Sequence, residues 1–337
     1  MIIVRPSASG DLPGIEKLIN ESAAPLSTLP ANRDKLEEKI EASRRSFAGE
    51  SDMLGRERFL FVMEDTASRE ILGTSGIDAH AGNGAPFYNY RLDSLYHSSQ
   101  QLGVHNEVPI LYLTHELSGR VLLCSLSISS RYRETTYFDL LSRSRLLFLH
   151  AHAARFGERI IVEIQGAHDE HGSSPFWDSL GRHFFGMDFN TADFYSAVKS
   201  KTFIAEMMPA HPIYVPLLTD AAQKAIAKPH AAARKNFDFL EKEGMYFDQH
   251  IDIFDGGPTL EGRIGDLNTV RQARVGQVKY TEHGQGQQKL VASTQFEHFA
   301  AGLCNLTEGL GDVIRVSRAM AEKMALKEGD NILFSPL

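Results

Sequence analysis

Arg131 and Arg133 stand in a short polar loop, SRYRETT, between a run that reads as a buried strand and one that reads as a long helix. Thr135 and Thr136 are both able to cap that helix, since a threonine hydroxyl accepts from the free N–H groups of a first turn. Guanidinium groups beside a helix N-terminus make an anion site, because unpaired N–H groups and the positive end of the dipole point at the same place. His230 follows a break made by Pro229. An imidazole can move protons near neutral pH; the competing reading is a capping or surface histidine. His168 and His171 share an H-x-x-H spacing with acids nearby. No third ligand accompanies them, so a polar turn is favoured and no metal is expected. Tyr88, Asn89, Tyr90 and Arg91 could hold a carboxylate or form an aromatic packing patch. Asp252 and Asp255 read as a turn in IDIFDGG. Cys124, inside a strand pattern without a marked base, reads as a packing thiol.

These groups need elements to place them. In VLLCSLSIS, Leu122, Cys124, Leu126 and Ile128 alternate with Leu123, Ser125, Ser127 and Ser129. The following helix carries an apolar stripe of Tyr137, Leu141, Ser144, Phe148 and Ala151, an i,i+4 pair of Asp139 and Arg143, and a stop at Gly157. Upstream, residues 2–5 read as a strand closed by Pro6. Asp11 and Pro13 begin a helix, residues 27–32 (STLPAN) form a loop, and residues 33–50 suit a solvated helix. Residues 58–64 and 70–78 read as a strand hairpin. Residues 79–116 are too long for a simple connection and are expected to be a folded insertion or flap. Strands are expected at 159–165 and 201–208, and helices at 173–185, 219–227 and 232–244, with Phe176 and Trp177 in the core. From residue 263 short strands and turns dominate.

The totals narrow the class. The chain has 337 residues, 42% hydrophobic and 23% charged, with net charge -8 and two cysteines. That composition suits a globular protein able to bury a core. The charge argues against a nucleic-acid binder. The cysteine count and the lack of an apolar run long enough to span a bilayer fit a cytoplasmic protein with no membrane partner. The element order is mixed α/β. A central strand followed by a basic loop and helix fits the acyl-CoA N-acyltransferase (GNAT-like) plan: a mixed sheet with packed helices, plus a small β-rich C-terminal region. The dinucleotide alternative needs a G-x-G-x-x-G turn after a strand, and none is present there. The expected division is a GNAT-like region over residues 1–262, with 79–116 as an insertion, and a small β-rich domain over 263–337.

The blocks RPSASGDLP, STLPAN, PFYNYR, LLCSL, SPFWDSLGRHFF, FIAEMMPAHPIY and IDIFDGGPTLEG occur in this order. In these blocks the chain resembles the arginine N-succinyltransferase family, and in PIYVPLLTDAAQ and DLLSRSRLLF its paired-subunit arginine/ornithine forms. The resemblance implies transfer of a succinyl group from succinyl-CoA to the α-amino group of L-arginine, with ornithine as a further acceptor. This is the first step of the arginine succinyltransferase catabolic pathway. It implies succinyl-CoA as co-substrate with no tightly bound cofactor, and a homo-oligomer or a hetero-oligomer with a paralogous subunit. It assigns succinyl-CoA contact to Leu126 and proton donation to His230. Arg131 and Arg133 then become candidates for the CoA phosphates, and Tyr88, Asn89 and Arg91 for substrate carboxylates. Relatives usually place proline after the histidine, whereas here Pro229 precedes it. Many carry glycines where Thr136 and Phe138 stand. That departure keeps an alternative open: a non-catalytic or weakly active paralogue that assembles with an active chain.

Overall fold

The computed structural model describes residues 1–21, 28–29, 31–50, 52, 55–169, 172–198, 202–282, 285–309 and 312–337. Its strands in chain order are β1 (Ile2–Pro6), β2 (Arg58–Asp65), β3 (Ile71–Asp78), β4 (Asn89–Ser99), β5 (Val104–Thr114), β6 (Val121–Ile128), β7 (Arg159–Glu163) and β8 (Ile213–Tyr214). They continue as β9 (Tyr246–Ile251), β10 (Pro258–Arg263), β11 (Arg274–Thr281), β12 (Gln287–Ser293), β13 (Ala301–Glu308), β14 (Val313–Ser317) and β15 (Asn331–Ser335). The chain divides into two compact units. One comprises Met1–Ala79, Leu123–Glu158 and Arg263–Leu337; the other comprises His80–Leu122 and Arg159–Gly262.

In the first unit the strand order is β12-β15-β11-β14-β13-β1-β2-β3-β6, and β12 also pairs with β13. Residues 274–335 therefore close a five-stranded ring, which leaves that region without a free sheet edge. Val278, Val291, Leu306, Ile314, Ile332 and Phe334 fill it. The helix Thr136–Ala151 packs on β1, β3, β12, β13 and the helix Asn268–Gln272. Its Phe148 ring meets Phe59, Phe61 and Phe299 at centroid distances of 5.3, 5.2 and 5.1 Å. The pairs with Phe61 and Phe299 are edge-to-face, and such pairs each contribute about 0.5–1.5 kcal/mol beyond burial. Covered on several sides, the helix is buried almost continuously from Phe138 to Leu149, Arg145 included, which is wider than the single stripe expected. The Asp139–Arg143 pair is present at 3.6 Å. The helix stops at Ala151, before Gly157, and a 3-10 turn Ala153–Arg155 follows.

In the second unit the order is β7-β10-β9-β4-β5-β8. Val121 and Leu122, the first residues of β6, pair in parallel with Ile160 and Ile161 of β7. Residues 79–116 are occupied largely by the β4–β5 hairpin, in register from Asn89↔Thr114 to Ser99↔Val104. Phe176 and Trp177 are fully buried beside Ile251, Ile253 and Phe254. The expected helix over 173–185 is broken into Pro175–Ser179 and Gly181–Phe185, capped by Ser174. The expected strand over 201–208 begins on a residue outside those described, and the rest is a helix, Thr202–Met207. Ile204 and Met208 are the buried pair there. Their spacing of four is a helical period, and Ala, Glu and Met favour helix. Among the described residues no helix is long and apolar enough to cross a membrane.

Candidate functional site

The candidate residues fall into two sets, one in each unit. Leu126, Arg131 and Arg133 lie along β6 and the turn after it. Ser125 takes φ +54°, a left-handed conformation that costs a non-glycine residue on the order of 1–3 kcal/mol unless its surroundings hold it. They do. The Ser125 N–H donates to Thr28 Oγ1 at 3.1 Å, its hydroxyl to the Thr28 carbonyl at 3.0 Å, and its carbonyl accepts from Thr74 Oγ1 at 2.9 Å. Thr74 belongs to β3, which carries glycines on either side of this contact. A β-carbon at Gly73 would fall 2.9 Å from the Ser127 carbonyl, and one at Gly76 3.0 Å from Cys124 Sγ. The strand GTSG is therefore shaped for close approach to β6. From the irregularity onward the two faces of β6 differ in burial. Ser125 and Ser127 are buried, whereas Leu126 and Ile128 are half-buried.

Behind β6 lies Arg145, 2% exposed. Its guanidinium reaches the carbonyls of Ser142 and Cys124 at 3.4 and 3.5 Å, and burial pushes its pKa down to about 10. Cys124 is buried too, and burial followed by the charge of Asp78 pushes its thiol up, which suits packing and not attack. After β6 the expected loop is largely a one-turn helix, Ser130–Arg133. Arg131 is exposed and pairs with Glu70 at 3.1 Å; Arg133 is half-buried. Thr135 caps the next helix by accepting from the Tyr137 N–H at 3.3 Å. Thr136 is exposed at its first position, and Phe138 is turned into the core.

In the second unit, His230 is half-buried and its backbone is moored. The Gly166–Pro229 bridge precedes it, its N–H donates to the Gln165 carbonyl at 2.8 Å, and Ala227, at φ +57°, donates to the Gly256 carbonyl. Its Nδ1 accepts from the Ala232 N–H at 3.1 Å, which assigns the proton of the neutral ring to Nε2. The His168 ring lies 5.3 Å away. Burial first, then the neighbouring His230, holds His168 below the usual histidine range. His171 lies outside the described residues. Asp255 ties this region together by accepting from the N–H groups of Gly166 at 2.7 Å and Gly257 at 2.8 Å. Burial and the nearby Asp252 raise its pKa well above the carboxylate range. Asp252 accepts from Phe254 and Asp255 N–H groups, so both aspartates build the turn expected of them.

Asn89 is fully buried and donates to Glu163 Oε1 at 3.0 Å. Glu163 and Gln165 are two residues apart, so Asn89 and His230 are both tied to the end of β7. Tyr88 packs on the core and lies edge-on to His115. Arg91 bonds Glu116 at 2.8 Å. That pair begins a charge network. Glu116 Oε1 is 2.6 Å from His250 Nε2, His250 Nδ1 is 2.8 Å from Glu261 Oε1, and Glu261 pairs with Arg120. The Nδ1 contact is within ion-pair reach but off hydrogen-bond alignment. Burial opposes charge on His250, yet Glu261 and Glu116 outweigh it and hold the imidazole above its usual range. Both carboxylates are held low, against their own burial, chiefly by His250 together with Arg91 and Arg120.

Sequence reasoning did not single out Thr28, Thr74, Arg145 or the His250 network. The paired glycines of GTSG were the available signal for Thr74. Nothing in the spacing of Arg91, Glu116, Arg120, His250 and Glu261 announces the network, which forms only when distant strands pair.

Comparisons with known proteins span the whole chain. The family model described as arginine N-succinyltransferase beta subunit matches residues 2–269, and the model of its C-terminal domain matches residues 271–336. Arginine N-succinyltransferase subunit alpha of Pseudomonas aeruginosa is 41% identical, over 98% of both chains. Arginine N-succinyltransferase of Salmonella paratyphi B is 36% identical, over 98% of this chain and 96% of that one. The solved structure of arginine/ornithine succinyltransferase subunit AI from Pseudomonas aeruginosa superposes with a TM-score of 0.92 at 38% identity, covering 100% of this chain and 98% of that one.

Proposed function

Because the chain belongs to the arginine N-succinyltransferase family, we propose that it transfers a succinyl group from succinyl-CoA to the α-amino group of L-arginine, giving N2-succinyl-L-arginine and CoA. The observation that carries this reading is the end-to-end match, 41% identity over 98% of both chains, to a protein of that name.

The chemistry has three requirements. The α-ammonium must lose a proton, since only the free amine has a lone pair to attack the thioester carbon. The carbonyl oxygen must be held as it gains charge, a task suited to a fixed backbone N–H. As the new C–N bond forms and the C–S bond breaks, the departing thiolate must take up a proton. We assign the oxygen to the backbone at Leu126, beside the irregularity at Ser125. We assign proton donation to His230, whose Nδ1 is occupied by the Ala232 N–H, so that Nε2 carries the proton. The attack is direct and needs no covalent enzyme intermediate. Arg131 and Arg133 are the groups we assign to the CoA phosphates, with the N-terminus of the helix Thr136–Ala151 adding its dipole. Arg91, about a third exposed and held by Glu116, is our candidate for a carboxylate, with Tyr88 beside it. Asn89 is enclosed, so it acts by holding Glu163.

The working form we propose is an oligomer in the cytoplasm, either of this chain or with a paralogous subunit, in which this chain is catalytic by itself, with residues 263–337 as its β-rich C-terminal domain. A panel of succinyl-CoA and acetyl-CoA against arginine and ornithine, with products identified by mass, tests the reading. Succinylarginine as the main product is expected. A preference for acetyl-CoA, or for an acceptor outside this pair, overturns it.

A further inference from the structure

Thr28, Thr74 and the irregular strand around Ser125 point to a device that the reaction scheme has not used. Every polar group of Ser125 is engaged from two directions. Thr28 takes its N–H and hydroxyl, and Thr74 supplies a donor to its carbonyl. Thr74 is fully buried, and a hydroxyl facing a carbonyl can act only as the donor. Within a sheet, a strand carbonyl is ordinarily satisfied by a backbone N–H of the neighbouring strand. Here a buried side-chain hydroxyl donates to that carbonyl, at the one residue of β6 with positive φ.

The Ser125 carbonyl and the Leu126 N–H belong to the same peptide unit. In a trans peptide the two bonds point in opposite directions, and no cis peptide occurs in the described chain. The carbonyl is aimed at Thr74 on β3, so the Leu126 N–H is aimed away from β3. Donation to the carbonyl also polarises the peptide and makes its N–H a stronger donor. Gly73 and Gly76 flank Thr74 and leave the room this close approach needs. The STLPAN segment supplies Thr28, so two separate parts of the chain converge on one residue.

We infer that Thr74 and Thr28 are positioning residues for acyl transfer: they lock the Ser125–Leu126 peptide so that the Leu126 N–H meets the thioester oxygen. This rests on the acyl-CoA reading above and goes beyond it in naming what aims the donor. Neither threonine touches the acyl group; both act through the backbone of Ser125.

The test compares Thr74→Val, which keeps the shape and removes the hydroxyl, with Thr74→Ser, which restores it. Thr74→Val is expected to lower kcat roughly tenfold, as loss of a group that orients a binding or catalytic partner commonly does, with KM for succinyl-CoA nearly unchanged. Thr74→Ser recovers most of the rate despite losing a buried methyl group. A second measurement needs no turnover: binding of CoA against binding of a ketone analogue in which a methylene replaces the thioester sulfur. The wild-type chain is expected to prefer the analogue, and Thr74→Val to lose that preference while binding CoA as before. If Thr74→Val does not fold, Thr28→Val, at a half-buried position, reads the same clamp and should lower kcat several-fold. Equal losses in the Val and Ser variants, or a folded Thr74→Val or Thr28→Val chain with wild-type kcat and wild-type preference, overturn the inference. A wild-type chain that binds neither ligand and shows no turnover overturns the acyl-CoA reading itself, and the clamp with it.

Discussion

At Ser125 a strained stretch of backbone is held by two threonine hydroxyls and a carbonyl; at His230 it is held by bridges to Gln165 and Gly166, just past β7, and Gly166 is held in turn by the buried carboxyl of Asp255. Both segments carry a residue in the left-handed region, Ser125 and Ala227, and both present a proposed donor, a backbone N–H in one case and an imidazole Nε2–H in the other. The difference lies in what can titrate. Hydroxyl and amide bonds keep their form across the range in which proteins stay folded. A buried carboxylate that accepts two N–H groups changes charge, and so the order around His230 is sensitive to pH where the order around Ser125 is not.

The largest expected effect comes from the imidazole. His230→Ala should lower kcat by about a hundredfold or more, the usual scale for losing a positioned proton donor, with little change in KM. A turnover number within a few-fold of wild type ends its proton-transfer role and leaves the Ser125 segment as the sole source of rate.

Asp255→Asn sharpens the contrast from the stability side. The amide offers one acceptor where the carboxyl offers two, so one buried N–H loses its partner, at about 1–3 kcal/mol, read by thermal or urea denaturation. The pH dependence carries the sign. Asp255 has a folded-state pKa above its unfolded one. Above the ordinary carboxylate range the native state therefore binds more protons than the unfolded state, and stability falls as pH rises through that interval. The variant should lose this slope. A slope unchanged in Asp255→Asn means that the carboxyl is not its source.

The His250 network provides a second, separable pH window. His250 is raised in the folded state, so its contribution is complete below its unfolded pKa, about 6.5, and is lost as pH rises through the folded value. Glu116 and Glu261 are lowered, and their contribution is lost as pH falls through the folded carboxylate values. The difference in stability between wild type and His250→Gln should thus be greatest in mildly acidic solution and shrink in alkaline solution. A difference that grows with pH contradicts the charged imidazole.

Arg131→Ala should have the smallest effect. The side chain is 62% exposed and its ion pair with Glu70 is a surface one, so stability changes by less than about 1 kcal/mol. KM for succinyl-CoA should rise by a few-fold, steeper at low salt. An unchanged KM removes Arg131 from the phosphate contacts.

Much of this arrangement was legible in the residues. The β6–helix succession, the threonine cap, the burial of Phe176 and Trp177 and the aspartate turn all follow from local pattern. The failures have local causes as well. Residues 202–207 form a helix because Ile204 and Met208 are buried at helical spacing, which a short apolar run does not distinguish from a strand. The helix Thr136–Ala151 is buried on more than one stripe because strands and a second helix cover it, a fact of tertiary packing. The alternation in β6 does hold, with Leu123, Ser125 and Ser127 buried on one face, but it gives no sign that Ser125 is left-handed or that Leu126 and Ile128 on the other face are only half-buried. No period in the sequence records that left-handed residue, although the glycines of β3 hint at it.

The central claim is succinyl transfer by this chain. Its most direct test is the release of free thiol when the purified protein is mixed with succinyl-CoA and L-arginine, with and without a paralogous subunit. Arginine-dependent thiol release by the chain alone, matched by an equal amount of N2-succinyl-L-arginine, is the predicted result. Thiol release that does not depend on arginine, or release that appears only when the second subunit is added, would contradict it.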